Sequence, residues 1–145
     1  MNRLFKTGIA FSIALMTTHL SAATAVSVQN AWLRLPPPGG YVSALYFTAT
    51  NTTATKQTIR SVDISGAESS HIHETVTDQH GMSRMTARHT LDINGGQKVV
   101  LAPGGLHVMV HGLKAAKSGE TVPVTLRLAN GDQVSFTATT KAANE

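Results

Sequence analysis

From Val26 onward no stretch of the chain keeps a helical apolar period beyond two turns; short runs rich in Val, Ile, Thr and Leu are punctuated instead by Gly, Pro, Asn and Asp. That texture restricts the chain to β structure. The runs predict strands over 26–35, 43–50, 57–65, 71–76, 85–93, 97–101, 106–113, 122–129 and 133–139. Turn chemistry falls between them, in "PPPGG" at 36–40, "NTTA" at 51–54, "DINGG" at 92–96 and "APGG" at 102–105. Asn130-Gly131, flanked by "VTLRLA" and "DQVSF", is the strongest hairpin signal. Such a series of short strands implies an all-β Greek-key sandwich or barrel, and 145 residues without internal repeats suit one compact domain.

The first 23 residues stand apart from that domain. Arg3 and Lys6 precede an uncharged run, 7–25, whose apolar centre at 8–16 is too short to cross a bilayer, which takes about 20 apolar residues. The alternative, a membrane-tethering helix, is disfavoured by that short centre. Small residues then offer cleavage after Ala23 or after Ala25, so 1–23 reads as a secretory signal peptide. The expected organisation is a signal at 1–23, one β-domain at 24–140, a frayed tail at 141–145, and no stable membrane insertion after cleavage. Without the signal, ten basic residues face eight acidic ones, a formal charge of +2. No basic cluster survives and aromatics are few, which argues against nucleic-acid binding. The absence of cysteine excludes disulfides, and it confines any soft-metal site to thioethers and imidazoles.

All histidines after residue 23 (71, 73, 80, 89, 107 and 111) and all methionines after it (82, 85 and 109) lie between 71 and 111. In a strand, residues two apart share a face at roughly 6.5–7 Å, so His107 and Met109 can converge, as can His71 and His73. Leu106, Val108 and Val110 then face the core. Thioether sulfur is soft and favours Cu(I) over oxygen-seeking cations, while imidazole serves Cu(I) and Cu(II) alike; methionine is a poor ligand for zinc. An exported, cysteine-free His/Met cluster therefore points to copper. A neutral His and Met shell also releases its metal without protonating a thiolate, which suits a carrier. Any single His or Met on a half-buried strand is ordinarily packing, since Met fills core gaps readily. The cluster as a whole, opening directly after the Gly-rich "APGG" turn, argues otherwise.

The spacing within this window resembles the periplasmic copper chaperones known as PCu(A)C, whose motif is H(M)x10Mx21HxM. His73 is followed by Glu74 in the optional Met position; ten residues then lead to Met85, twenty-one more lead to His107, and Val108 separates His107 from Met109. The similarity extends to "AWLRLPPPGGYVSALYFTATNT", "LAPGGLHVMVHGL" and "SGETVPVTLRLANG". It implies a cupredoxin-like or immunoglobulin-like β-fold that holds Cu(I) near the surface through His73, Met85, His107 and Met109. It also implies a periplasmic carrier taking copper toward the CuA site of cytochrome c oxidase or another periplasmic copper protein. The chain departs from the family in Glu74, which removes a spare thioether, and in the lack of a His/Met-rich C-terminal extension. His71 and His111 share faces with the implied ligands and are candidates for auxiliary roles, including weaker Cu(II) binding. Met82, His80 and His89 read as exposed or packing residues.

Other function classes have less support. No nucleophile-elbow or phosphate-loop motif is present, so the chain is not expected to be an enzyme, and a blue-copper carrier would need a cysteine thiolate. The alternatives are an immunoglobulin-like interaction module with an incidental His/Met cluster and a small copper-dependent redox enzyme. Trp32 reads as a core residue and Arg34 as a solvated or sheet-edge charge.

Overall fold

The computed structural model describes residues 23–145, so the expected signal peptide lies outside the described residues except for Ala23. The described chain contains ten strands: β1 (Val26–Arg34), β2 (Val42–Asn51), β3 (Gln57–Ile64), β4 (Ser69–Thr77), β5 (Ser83–Arg88), β6 (Leu91–Ile93), β7 (Lys98–Val100), β8 (Leu106–His111), β9 (Thr121–Leu128) and β10 (Gln133–Lys141). Among the described residues no helix is long and apolar enough to cross a membrane.

Period-two alternation decides which face of each strand is inside. Along β9, Val122, Val124, Leu126 and Leu128 are buried while Thr121, Pro123 and Arg127 are exposed. Each such aliphatic side chain contributes about 1.5–3 kcal/mol on burial. Together with Leu33, Leu45, Phe47, Ile59, Ile72 and Val108, they make one continuous core.

The strands form one sheet in the order β5-β4-β8-β2-β1-β10-β9-β3-β6, with β7 paired to the far part of β2. Its pairings are antiparallel except β1 with β10, which run parallel with Trp32 opposite Thr139 and Arg34 opposite Lys141. The sheet curls until β3 packs beside β4, where the Ser70 hydroxyl donates to the Val62 carbonyl. No ladder joins those two strands, so the all-β barrel is an open one.

Two sequence expectations change here. The single strand expected over 85–93 is in fact two strands at opposite ends of the sheet, β5 on β4 and β6 on β3. Every residue of β5 is exposed, whereas Leu91 and Ile93 of β6 are buried, so no shared core face ties the two into one run. The Asn130-Gly131 hairpin forms, but its loop has three residues: the Gly131 amide donates to Leu128 (3.0 Å), the Leu128 amide donates to Asp132 (2.9 Å), and Gly131 has φ of 93°. A three-residue loop that ends on a left-handed glycine suits the sheet's right-handed twist.

Candidate copper site

Strand β8 begins at the turn Ala102-Pro103-Gly104-Gly105, closed by the Gly105 amide donating to Ala102 (3.1 Å). Val108 and Val110 enter the core, which forces His107, Met109 and His111 onto the opposite, outer face. On neighbouring β4 the buried Ile72 does the same for His71 and His73. The antiparallel register then puts His73 opposite His107 and His71 opposite Met109. Residues 34 apart in sequence thus become cross-strand partners, with imidazole centroids 6.0 Å apart and planes inclined by 21°.

Both of these rings are oriented by the backbone. The Nδ1 atom of His107 lies 2.9 Å from the Gly105 carbonyl, and that of His73 lies 3.2 Å from the His71 carbonyl. A carbonyl can only accept, so each ring donates through Nδ1–H and leaves its Nε2 lone pair free for a metal. Hydrogen bonds of this kind fix the tautomer and raise ligand basicity.

The thioethers come from two strands, β5 and β8. Met85 stands on edge strand β5 opposite Thr75, and Met109 stands opposite Ala44 of β2. Met85, Met109 and the nearly buried His107 line one open cleft of about 400 Å³, together with Thr75, Tyr46 and Arg34. The His73 ring borders a neighbouring cleft with His71, Met109 and His111, so Met109 belongs to both. The four proposed ligands therefore share one sheet face, three of them in one cleft and His73 beside its His107 partner. Among the described residues no three His, Asp or Glu side chains converge to hold a metal.

The surroundings are cationic. Arg34 donates to the Tyr46 hydroxyl at 2.9 Å, and the Lys141 ammonium lies 4.9 Å over the Trp32 ring, which in turn packs on Tyr46 with centroids 4.5 Å apart and planes tilted by 34°. Fixed positive charge at a neutral ligand set penalises Cu²⁺ more than Cu⁺. Trp32 is therefore not a core residue: the buried Leu33 fixes the register of β1, leaving Trp32 and Arg34 on the ligand face. Arg34 is likewise no edge charge, because β1 lies between β2 and β10. Burial holds the Tyr46 phenol above the usual tyrosine range, and Arg34 opposes that shift. Arg34→Met should move the phenol's ultraviolet titration to still higher pH; an unchanged or lower midpoint would show that the guanidinium does not act on it.

Sequence reasoning passed over Arg34, Tyr46 and Thr75 as cleft residues. The signal was alternation: Trp32 and Arg34 in β1, and Ala44 and Tyr46 in β2, occupy the face opposite Leu33 and Leu45. Glu74, in the optional Met position, pairs with Arg88. His80 and Met82 are exposed around the β4–β5 turn, where the Asp78 carboxylate accepts from both backbone amides, and His89 is exposed after β5.

The family model of the LpqE-like lipoproteins matches residues 26–140. A protein of Leifsonia xyli subsp. xyli that carries a lipoprotein name, Lxx21020, is 34% identical over 110 residues, 75% of this chain; the chain spans 65% of that relative's length. Among solved structures, the copper-bound PCuAC domain from PmoF2 superposes with a TM-score of 0.70 at 21% identity, over 86% of this chain and 99% of that domain. The Cu(I) form of DR1885 from Deinococcus radiodurans matches with a TM-score of 0.64 at 32% identity, over 83% and 81% of the two chains. The chain belongs to the LpqE-like family, which is PCuAC-like, and its open all-β barrel has the cupredoxin-like, immunoglobulin-like architecture of the PCuAC domains.

Proposed function

We propose that this member of the LpqE-like family is an exported, periplasmic Cu(I) carrier, not an enzyme, that binds its cargo through His73, Met85, His107 and Met109. It would pass copper to the CuA subunit of cytochrome c oxidase or to another periplasmic copper protein. One observation carries the reading: two imidazoles with Nδ1 tied to backbone carbonyls, and two thioethers, share one face across three adjacent strands. Solved relatives named as copper-bound and Cu(I)-bound support the choice of metal.

The donor set gives the carrier its chemistry. Two thioethers and two neutral imidazoles add no charge, so Cu⁺ is held by soft donors and not by ion pairing. Met85 is 51% exposed on an edge strand, which makes it the donor an acceptor can reach and displace first. His107, 7% exposed, stays with the fold. The direct test mixes the Cu(I)-loaded mature protein with an apo CuA domain and follows copper by metal analysis of the separated proteins. Stoichiometric transfer without substrate turnover is expected. Retention of copper by the loaded protein, together with reproducible oxidase activity, would favour a copper-dependent redox enzyme. Failure to bind Cu(I) at all would favour an interaction module.

A further inference from the structure

The ladder of donors continues past the four ligands. On β8 the outer face carries His111 after His107 and Met109, and on β4 it carries His71 before His73. His71 is exposed, His111 is half-buried, and their rings lie 6.5 Å apart centroid to centroid. With imidazole nitrogens bound at about 2.0–2.1 Å, as for zinc, two rings that share one ion must come closer than this by side-chain rotation. Met109, which is opposite His71, lines this cleft as well as the first.

Glu68 and Tyr41 flank the end of β8 at His111. Glu68 donates its amide to the His111 carbonyl at 2.9 Å, and its carboxylate accepts from the Tyr41 hydroxyl. Its side chain occupies the space where a Cβ on residue 112 would lie, 2.5 Å from Glu68 Cγ and Cδ; Gly112, with φ of 64°, leaves that space open. The Tyr41 ring packs 6.1 Å from His111. Arg60 and Arg88 also line this cleft, and Arg88 is paired with Glu74. The first position thus has Arg34 on its wall, while the second has Arg60 and an Arg88 already held by Glu74.

We propose that His71 and His111 form a second, nitrogen-dominated copper position that takes Cu(II), adjoining the Cu(I) position and sharing Met109 with it. Imidazole accepts either oxidation state, and with at most one thioether this position lacks the soft-donor bias of the first. Residues 71 and 73 lie roughly 6.5–7 Å apart along one face, so the positions adjoin without coinciding. The proposal rests on copper being the cargo, but its two imidazoles are not ligands of the Cu(I) position.

The test is a Cu(II) titration of the mature protein, followed by electron paramagnetic resonance and a competing chelator, run beside a Cu(I) titration of the same samples. Three proteins are compared: wild type, His71→Ala/His111→Ala, and His80→Ala/His89→Ala as the control for exposed histidines. Wild type and control are expected to show one Cu(II) with nitrogen hyperfine structure. The His71→Ala/His111→Ala variant should bind Cu(II) at least about tenfold more weakly, since even outer-shell losses cost that much, while its Cu(I) affinity stays unchanged and reports an intact fold. Equal Cu(II) affinity and spectra in wild type and the His71→Ala/His111→Ala variant would overturn the second position. Loss of Cu(I) binding in wild type, with Cu(II) binding kept, would instead overturn the carrier reading.

Discussion

Replacing Met85 and Met109 together by Leu is expected to lower Cu(I) affinity by more than about 100-fold, beyond the loss typical of outer-shell partners alone. Leu matches Met in volume, and such swaps usually cost less than about 1.5 kcal/mol. Met85 is 51% exposed and Met109 only half-buried, so the fold should lose little. What disappears is the soft half of the donor set, leaving two imidazoles beside a guanidinium. Competition against a Cu(I) chelator measures the effect, and the thermal midpoint of the metal-free protein measures the control. Wild-type affinity in the double variant, with an unchanged midpoint, would remove the thioethers from the site and leave the cluster incidental.

The single variants should differ. Met109 lies between β4 and β2 in the middle of the ligand face, whereas Met85 is on the edge strand. Losing Met109 removes a donor that the fold positions; losing Met85 removes one that the edge strand offers. The first should cost more affinity, and the second should slow transfer to an acceptor more than it weakens binding.

Much of this site was legible because β structure turns spacing into position. Once Val108 and Val110 are assigned to the core, His107 and Met109 have no choice of face. What the spacing does not contain is register between distant strands. That His73 faces His107 follows from the β4–β8 pairing, a long-range contact that the local sequence of neither strand specifies. Trp32 departs from expectation for a related reason: a large aromatic in a small β-domain usually belongs inside, but here Leu33 claims the core and the tryptophan is left to pack against Tyr46. The sequence of residues 85–93 suggests one strand because the run carries β-formers at both ends. The exposed half belongs to β5, which pairs with β4, and nothing in its own sequence marks where it leaves the sheet.

A core substitution behind the site links folding to function. Leu45 is fully buried and pairs with Leu33 on one side and Val108 on the other, while its sequence neighbours Ala44 and Tyr46 line the first cleft. Leu45→Ala should cost about 2–5 kcal/mol, the transfer term plus the cavity left behind, a large share of the roughly 5–15 kcal/mol available to a domain. The metal-free midpoint should fall by about 10 °C or more. Free copper held at 100 times the wild-type dissociation constant adds about 2.7 kcal/mol to the wild-type protein, provided that only the folded state binds it. That increment should be smaller in Leu45→Ala, because the cavity loosens the Leu45–Val108 pair from which His107 and Met109 project. Leu126→Ala supplies the comparison: it is equally buried on β9, across the core, and should lose comparable stability while keeping the full copper increment. Equal increments in both variants would mean that the core positions the ligands no more tightly than the backbone hydrogen bonds alone require.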